Sequence, residues 1–384
     1  MADTTIMRRN NLQTILEAID ILDTATTADL TEQTLLSLAT ISRVTGQLKN
    51  KGLILQDRKQ TTDPGRKPEV YQLNRSYGTE LYFNLKSGCL QSYLLDFGGQ
   101  LLKQAEDPVD SSLTADGFLR LIHSRAEQLT AGGVPAPLAL CISLPGQQNK
   151  EDGTICRIPN FPEFEGTALQ TLAEQATGLP CLIANTARLT AWGHFLSHPD
   201  DVQNLIFLEI TGDCGIGAGL VLGGRLYEDA LGLAGEVGDM IVQLGAPSKS
   251  PTRGALEEES GIVTILTKAK KLLPSEPQLS LPRLEQLAPQ NDAVMSLLQK
   301  TTRAWTAAII NLSAVLSPDL IVAGGAVSEE NRLICQLMQN HLQTMYHRPI
   351  ELSFAPADSL YHTAGAGNLL KRFLFSQELD RIDE

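Results

Sequence analysis

The residues whose types most clearly suggest chemistry lie near the N-terminus, on one side of a predicted helix over residues 37–51. The side chains that helical spacing places on the exposed side are hydroxyls, amides and cations: Ser37, Thr40, Ser42, Arg43, Thr45, Gln47 and Lys49. Such groups can hydrogen bond to base edges in the major groove of duplex DNA, which is wide enough to admit a helix. We therefore expect this helix to read DNA.

A basic, turn-rich segment, RKQTTDPGRKP at residues 58–68, follows that helix. Arg66 and Lys67 stand next to Gly65, where they could enter the minor groove or clamp phosphates. Residues 43–75 carry eight basic and three acidic side chains, although the whole chain has a formal net charge of −13. Charge alone leaves a solvated helix and loop as an alternative, and a protein-interaction module is a further one.

The elements that would position these side chains are three helices and a basic β-hairpin. Apolar residues recur at helical spacing over residues 11–23, and a second short helix is predicted over Thr27–Gln33, capped by Thr26 or Thr27. Ser37 is the predicted N-cap of the third helix, whose buried face carries Ile41, Val44 and Leu48. Residues 53–55 and 70–73 alternate like two strands. Together these elements predict a winged helix-turn-helix.

A second candidate site is a glycine cluster that follows an apolar strand at residues 205–210. Glycines allow tight turns and close backbone approach, as loops that cradle phosphates or sugars require. The cluster consists of Gly212, Gly215, Gly217 and Gly219. Strands are predicted at 81–85, 91–96, 138–143, 181–184, 205–210, 218–222 and 320–323, and helices at 114–131, 167–177, 258–271 and 299–316. Their alternation predicts α/β layers.

Length and composition exclude several classes of protein. The 384 residues suit two or three domains, and 42% hydrophobic with 20% charged residues is typical of globular chains. No apolar run reaches the roughly 18 residues of a membrane span, and the start lacks a signal peptide's apolar core, so we expect a cytoplasmic protein. A pI near 5.0 excludes coating of nucleic acid through bulk charge. The six scattered cysteines are expected to be reduced core thiols.

The stretch ITGDCGIGAGLVLGGRLYEDALGLAGEVGDM at residues 210–240 resembles the signature of the ROK family, which contains repressors and sugar kinases. Residues 27–54, followed by GRKP, resemble the family's repressor head. Further matches are ISLPGQ (142–147), LIANTARLTAWGHF (182–195), SPDLIVAGGAVS (317–328) and AGAGNLL (364–370). The resemblance implies an N-terminal winged helix of α+β class at residues 1–78, followed at 79–384 by a two-lobed α/β, actin-like (ribonuclease-H-like) ROK domain. Lobe one would comprise about 79–188 and 361–384, and lobe two about 189–360.

The sequence departs from the family's kinases at two positions that matter for phosphoryl transfer. The resemblance implies an aspartate- and glycine-rich phosphate loop at residues 84–96 and a catalytic aspartate in an Asn-Asp-Ala segment. Asn84 and Thr186 stand at these two aspartates, and the loop keeps only Gly88. Phosphoryl transfer needs Mg²⁺ held by a carboxylate and a base for the hydroxyl proton. We predict no catalytic residue and no enzyme activity; a sugar kinase with a DNA-binding head is the alternative.

The family's zinc site is also missing. The resemblance implies a histidine after a Gly-Glu-Ile-Gly segment and three cysteines soon afterwards. Asp239 replaces that histidine, and residues 240–257 contain no cysteine, so the motif's soft ligands are absent. His194 and His198 have the i,i+4 spacing of a metal pair but no third ligand nearby in sequence. We expect neither a metal nor a cofactor.

A sugar site is partly retained, as the resemblance implies. Asn185, Glu236 and Glu257 match family sugar ligands, Asn160 matches an asparagine of a loop that lines the cleft, and Thr186 and Asp239 are substitutions. Carboxylates and amides suit the vicinal hydroxyls of a sugar. The alternative is altered or lost sugar binding, with the retained residues serving only structural hydrogen bonds.

The sequence and the resemblance together predict a DNA-binding transcriptional regulator, a repressor of sugar uptake or catabolism genes. A homodimer or homotetramer would bind a pseudo-palindromic double-stranded operator, because two heads on a two-fold axis match two half-sites. A sugar, a sugar phosphate or a protein partner would supply the signal. A regulator with a vestigial sugar cleft, controlled only by a protein partner, remains the competing hypothesis.

Overall fold

The computed structural model describes residues 2–58, 69–149, 153–198, 202–212, 215–229, 232–242, 254–357 and 359–383. The predicted wing tip, with Arg66 and Lys67, lies outside these residues. Within the described ranges no helix combines the length and the apolar character needed to cross a bilayer.

The N-terminal unit combines three helices with a small antiparallel sheet. Its elements are α1 (Ala2–Leu22), β1 (Thr24–Thr26), α2 (Thr27–Thr34), α3 (Leu38–Asn50), β2 (Ile54–Arg58) and β3 (Glu69–Leu73), with the sheet in the order β1-β3-β2. Thr26 caps α2 in a capping box with Asp29, and Ser37 caps α3 through Thr40 N. Helix α1 begins nine residues before the predicted start, and β1 was not predicted.

The buried face of α3 differs from the prediction at one residue. Ile41, Val44 and Leu48 are fully buried against α1, as predicted. Thr45, predicted on the exposed side, is only 2% exposed, and its hydroxyl donates to the carbonyl of Ile41. The hydroxyl is satisfied inside the helix, so a threonine can occupy a core position there.

The turn between α2 and α3 holds a leucine in an unusual conformation. Leu35 has φ 57°, in the left-handed region, and its side chain is 89% exposed. This conformation costs a non-glycine residue roughly 1–2 kcal/mol, because Cβ crowds the following carbonyl. The residue therefore occupies this turn at a cost in stability without contributing to the core.

The first lobe is built on a five-stranded sheet in the order β10-β7-β4-β5-β6. Its elements are β4 (Thr79–Lys86), β5 (Cys89–Asp96), β6 (Leu101–Pro108), α4 (Ala115–Thr130), β7 (Pro137–Leu144), β8 (Gln147–Gln148), β9 (Ile155–Arg157), α5 (Leu169–Thr177) and β10 (Cys181–Asn185). Strands β10, β7 and β4 are parallel, whereas β5 and β6 form an antiparallel edge. Strand β6 was not predicted.

The second lobe repeats this plan with the order β13-β12-β11-β14-β15. Its elements are α6 (Thr186–Leu196), β11 (Leu205–Ile210), β12 (Ile216–Leu222), β13 (Arg225–Leu226), α7 (Ala255–Ser260), α8 (Ile262–Leu272), α9 (Leu281–Leu287), α10 (Asp292–Leu316), β14 (Leu320–Gly325), α11 (Arg332–Met345) and β15 (Leu352–Phe354). The helix predicted at 258–271 is two helices that break at Gly261. Two such sheets form a two-lobed, actin-like fold.

The last helix, α12 (Tyr361–Asp383), joins the parts of the molecule. It packs along α6 and also contacts β4, β7 and α1. A Cβ at Gly193 on α6 would overlap the carbonyl of Tyr361, and one at Gly365 would overlap the carbonyl of Leu189. The α6–α12 crossing is therefore a contact of backbone on backbone.

Helix α12 also fastens the N-terminal unit. The Lys371 ammonium donates to the Asp20 carboxylate on α1, and the Tyr77 hydroxyl donates to Glu378 across 2.8 Å. One buried apolar cluster runs without a break from the core of α1 to Leu370, Leu374 and Phe375. The N-terminal unit and the first lobe thus share a core.

The cysteines do not all lie in the core. Cys141 and Cys181 are buried, as expected, and burial raises the pKa of both thiols. Cys89 and Cys335 are only partly buried, and Cys156 is exposed, so the expectation of core thiols is wrong for Cys156. Cys214 lies outside the described residues.

Candidate functional site

A cavity of about 910 Å³ lies between the two lobes. The carboxyl ends of four strands reach it, namely β4, β10, β11 and β14, and ligands of open α/β sheets commonly bind at such ends. All six residues predicted to contact a ligand line this cavity: Asn160, Asn185, Thr186, Glu236, Asp239 and Glu257. The chain thus brings together residues that are up to 97 positions apart in sequence. Their roles as ligand contacts remain a prediction.

Asn185 ends β10 and caps α6, which fixes the direction of its side chain. Its amide oxygen accepts from Arg188 N at 3.3 Å, and its amide nitrogen donates to the Gly146 carbonyl at 3.1 Å. Arg188 in turn donates to the Ala234 carbonyl and lies 3.5 Å from Asp229. These bonds tie the loop that carries Glu236 to the first turn of α6.

The position of the Glu257 side chain accounts for the presence of glycine at two positions near the cavity. It stands in the first turn of α7, and its carboxylate accepts from Ile216 N at 3.0 Å. A Cβ at Gly215 or Gly238 would collide with this carboxylate. The glycines therefore make room for an acidic side chain between the β11–β12 turn and the Glu236 loop.

Three carboxylates, Glu236, Asp239 and Glu257, face one end of the cavity. Burial is the main cause that raises the pKa of Glu236, and the negative charges of Asp239 and Glu257 act in the same direction. A hydrogen bond from Gln147 and the charge of Arg157 oppose this rise in pKa. Such a cluster offers several acceptors and one nearby cation to the hydroxyls of a polar ligand.

Asn160 adopts a left-handed conformation, with φ 66°, in the turn after β9. Asparagine tolerates this region better than other non-glycine residues, because its short side chain can hydrogen bond locally. The turn places the residue among those that line the cavity.

The two positions of the expected kinase aspartates meet at the inner wall of the cavity. Asn84 is fully buried on β4, and its amide oxygen accepts from Ser143 at 2.8 Å and from Thr186 at 3.2 Å. The Tyr82 hydroxyl extends this network to Ser143 and to His362 on α12. Burial lowers the pKa of His362 to about 3, so the imidazole is neutral. These side chains form an uncharged network at neutral pH.

Lys86, Glu209 and His362 also line the cavity, although none of them was among the predicted ligand contacts. Burial raises the pKa of Glu209 to about 7, and the charge of Lys86 opposes that rise. Lys86 lies in the segment that the resemblance assigns to a phosphate loop, whereas no motif marks Glu209 on β11 or His362 on α12. Only the pairing of the strands and the return of α12 bring them together.

The described residues contain no group of three or more histidine, cysteine or acidic side chains that could hold a metal. The His194 and His198 rings stack at 4.6 Å, and the His198 Nδ1 lies 3.1 Å from the carbonyl of His194. Burial is the main cause that lowers the pKa of His194 to about 4. The ring of His194 on α6 thus packs on the ring of His198, which lies just beyond the end of that helix.

The exposed side of α3 carries only part of the predicted set. Ser42, Arg43 and Lys49 are exposed, whereas Thr40 and Gln47 are half-buried. Ser37 is exposed but engaged, because its hydroxyl caps α3 and lies 2.9 Å from the Thr40 hydroxyl. The Lys49 ammonium donates to Gln56 on β2. Leu38 and Ala39 are exposed at the start of the helix, although they were not among the predicted residues.

Comparison with known proteins extends over nearly the whole chain. The model of the ROK family matches residues 95–370. A xylose repressor from Caldicellulosiruptor bescii is 23% identical over 343 residues, which is 83% of this chain and 85% of the relative. An N-acetylmannosamine kinase from Vibrio vulnificus is 28% identical over 228 residues, 59% of this chain and 74% of the relative.

A solved structure shares the fold. It is the crystal structure of a ROK family transcriptional regulator described as a homolog of the E. coli MLC protein. The two structures have a TM-score of 0.81 at 24% sequence identity, and the match covers 98% of each chain. The likeness therefore includes the N-terminal unit as well as both lobes.

Proposed function

The chain belongs to the ROK family, and from this membership we propose that it is a sugar-responsive, DNA-binding transcriptional repressor without kinase activity. One observation carries the proposal: helix α12 packs both on α6, whose first turn lines the cavity, and on α1 of the N-terminal unit. A signal received between the lobes thus has a physical connection to the DNA-binding unit. The xylose repressor that resembles this chain along most of its length supports the same function.

The N-terminal unit acts as a winged helix whose α3 enters the major groove. Residues 37–51 contain three basic and no acidic residues, in a chain whose formal net charge is −13. Arg43 reads a base edge or a phosphate, and Arg66 and Lys67 on the wing hold the minor groove or the backbone. A homodimer places two such units on the half-sites of a pseudo-palindromic operator.

The cavity binds a sugar or a sugar phosphate. Carboxylates and amides converge on one end of it, and such groups accept and donate to the hydroxyls of a sugar. Asn160, Asn185, Glu236 and Glu257 are the proposed contacts, with Thr186 and Asp239 at the two altered positions. The regulated genes serve the uptake or catabolism of the same sugar, and the resembling repressor from Caldicellulosiruptor bescii is likewise named for a sugar, xylose.

The signal passes through helices rather than through a flexible loop. Trp192 on α6 donates to Asn368 on α12 at 2.9 Å, and Lys371 on α12 bonds Asp20 on α1. Closure of the lobes on a sugar moves α6 relative to the first sheet and biases the orientation of α1. A sugar that favours one orientation shifts the population towards it and lowers the affinity for DNA.

Kinase activity is the second candidate, and the cavity wall argues against it. Phosphoryl transfer requires carboxylates for Mg²⁺ and for the hydroxyl proton. Asn84 and Thr186 occupy those positions and hydrogen bond to each other. The carboxylates of the cavity thus remain suited to binding a sugar. The two described residues at the expected aspartate positions are neutral and would not activate a sugar hydroxyl for phosphoryl transfer.

A two-stage experiment tests the function. The full-length protein first selects duplexes from a randomised pool, and a panel of hexoses, pentoses, amino sugars and their phosphates is then screened by thermal shift. A ligand at about 100 times its Kd adds roughly 2.7 kcal/mol to the free energy of unfolding. The sugar that stabilises the protein must also weaken its binding to the selected duplex.

Glu236→Gln and Glu257→Gln should abolish the sugar-induced shift, and Glu329→Gln, an exposed glutamate outside the cavity, is the matched control. Stabilisation by sugar with unchanged DNA affinity contradicts the proposed response. A folded protein that selects DNA but binds no sugar of the panel redirects the search to a protein partner.

A further inference from the structure

The first turn of α3 exposes apolar rather than polar side chains. Leu38 is 63% exposed at the first helical position, and Ala39 beside it is also exposed. Leu35, in the preceding turn, is the most exposed of the large apolar residues in the described part of the chain. We call these three residues the apolar tip. No core contact accounts for them, because the buried face of α3 consists of other residues.

The apolar tip lies on the side of α3 that faces away from the core. The buried positions of the helix are Ile41, Val44, Thr45 and Leu48. The positions exposed along the rest of the helix are Ser42, Arg43, Lys49 and Asn50. Leu38 and Ala39 precede Ser42 and Arg43 by one helical turn, so the two pairs form one continuous stripe.

The charge around the apolar tip favours a polyanion as its partner. Arg43 within the stripe and Lys49 beyond it are basic, and neither α3 nor its two capping residues include an acidic side chain. The nearest acidic residues before the apolar tip in sequence are Asp29 and Glu32 on α2. The remainder of the molecule is strongly acidic, because the chain as a whole has a formal net charge of −13. A second copy of this chain or another acidic protein would have to supply both negative charge for Arg43 and Lys49 and an apolar contact for the tip. DNA supplies both in one groove.

We propose that Leu38 and Ala39 read thymine methyl groups in the major groove, which makes the apolar tip a determinant of operator sequence. This inference rests on the proposed function of α3. The 5-methyl group of thymine is the apolar feature that base pairs present on the floor of the major groove. The N-terminal residues of a recognition helix are those that reach base edges. An exposed leucine at this position therefore finds one apolar partner there.

Helix α3 then contacts DNA in two ways, through hydrogen bonds and through apolar contacts. The Ser37 hydroxyl accepts from Thr40 N and so caps the helix, and the Thr40 hydroxyl lies 2.9 Å from the Ser37 hydroxyl. Both hydroxyls are therefore engaged and contribute little to reading bases. Arg43 and Ser42 remain for hydrogen bonds, and the apolar tip supplies contacts that carry no hydrogen bond. The operator half-site then contains at least one thymine at which the protein senses only the methyl group.

The test uses a chemical change confined to that group. Full-length protein selects duplexes from a randomised pool, and each thymine of the selected half-site is then replaced singly by deoxyuracil, which removes the 5-methyl and keeps all hydrogen-bonding groups. We expect about fourfold weaker binding at one or two positions, the factor that corresponds to burying one methyl group. At the position that Leu38 contacts, Leu38→Ala should bind the thymine duplex more weakly than the wild type and lose nothing more with deoxyuracil. A position that Ala39 contacts should keep its loss in Leu38→Ala.

Two controls keep the outcome interpretable. Val315→Ala shortens another exposed apolar side chain, 81% exposed on α10 in the second lobe, and should retain the wild-type loss with deoxyuracil. Circular dichroism and thermal unfolding of Leu38→Ala check that the exposed substitution leaves the fold intact.

The inference is wrong if deoxyuracil has no effect at any position, or if its effect is equal in the wild type and in Leu38→Ala at every position. Leu38→Ala could instead change the oligomeric state in sedimentation while duplex affinity stays the same, which would make the apolar tip a protein contact. A protein that enriches no duplex refutes the proposed function and the inference with it, and this failure is visible before any deoxyuracil is used.

Discussion

The hydroxyl of Thr186 donates a hydrogen bond to the amide oxygen of Asn84 across 3.2 Å. The two residues are 102 positions apart and stand at the two places where the family's kinases are expected to carry aspartates. Asn84 is held on every side, because its oxygen also accepts from Ser143 and its nitrogen donates to Gln91. A buried network of neutral, hydrogen-bonded side chains thus stands where the family's kinases are expected to carry two ionised carboxylates. The low dielectric of the interior strengthens these hydrogen bonds.

This network predicts that the protein releases no sugar-dependent ADP from ATP. Thr186→Asp alone should not create turnover, because Asn84 still offers Mg²⁺ no charge. A coupled ADP-release assay over hexoses and amino sugars measures this for both proteins. Turnover by the wild type that disappears in Glu236→Gln would show that the chain is a kinase after all.

Glu209 predicts a pH dependence of stability. Burial raises its pKa from 4.5 to about 7, so the folded state holds a proton that the unfolded chain releases. The corresponding stability is complete below pH 4.5 and is lost as the pH rises through 7. Glu209→Gln should equal the wild type at pH 4 and exceed its free energy of unfolding by ~2–3 kcal/mol at pH 8.

Urea unfolding between pH 4 and pH 8 measures this difference. Glu351→Gln, which removes an exposed charge from the same lobe, is the control. A constant difference between Glu209→Gln and the wild type over the whole pH range would contradict the raised pKa of Glu209.

Arg43→Ala is expected to weaken binding to the selected duplex by about 10- to 100-fold, the range of a good contact to a base. Fluorescence anisotropy at several salt concentrations separates the two possible contacts. A base contact relaxes selectivity at one position, whereas a phosphate contact weakens all sequences alike and lowers the salt dependence. Arg303→Ala replaces an exposed arginine on α10 and should change neither the affinity for the duplex nor its salt dependence. If Arg43→Ala binds the duplex as tightly as Arg303→Ala, α3 is not the helix that reads DNA.

Gly46→Ala should change stability and DNA affinity in opposite directions. A Cβ at this position of α3 meets no atom within 4 Å, so alanine stabilises the helix by ~1 kcal/mol. Gly46 follows Ser42 by one turn on the proposed DNA-reading side, where an added methyl group would hold the helix away from the bases. Thermal unfolding and anisotropy measure the two effects; higher stability with unchanged affinity would place Gly46 outside the DNA interface.

The Lys371–Asp20 pair should couple the N-terminal unit to α12. Both side chains are largely buried, and Lys371 also lies near the buried Glu80, whose pKa burial raises well above its usual value. Lys371→Met leaves acidic groups without their cation and should lower the free energy of unfolding by ~2–4 kcal/mol.

A double-mutant cycle measures this coupling. Asp20→Asn combined with Lys371→Met should recover part of the loss, because no buried carboxylate remains at position 20. The Arg283–Glu276 pair in the second lobe is more exposed than the Lys371–Asp20 pair, so it gives the comparison and should show a smaller coupling. Additive effects at Asp20 and Lys371 would mean that the pair does not join the two units.

The sequence predicted the elements with strong periodicity and missed those defined by their environment. The helix caps at Thr26 and Ser37 and the central strands followed from local chemistry. Strand β6 was not predicted because its residues are exposed or half-buried at the edge of the sheet, so its sequence lacks the apolar pattern of a buried strand. The residues of the cavity that motifs marked do line it, while Glu209 and His362 meet only through long-range packing.

Helix α3 shows why polarity alone misplaces individual residues. Thr45 is buried because its hydroxyl bonds the helix backbone, and Leu38 is exposed because the helix begins beyond the edge of the core. A pattern of polar and apolar letters assigns both residues to the wrong side. Only the position of the helix against α1 decides which positions face solvent.

The crossing of α6 and α12 has a mechanical consequence. Side chains between two helices can change rotamer and absorb a small displacement before it reaches the neighbour. At Gly193 and Gly365 the backbones touch without any side chain between them, so nothing there can yield. The crossing is therefore stiff, and a tilt of α6 passes directly to α12. The tilt displaces the far end of α12, about five turns beyond Gly365, more than it displaces the crossing itself.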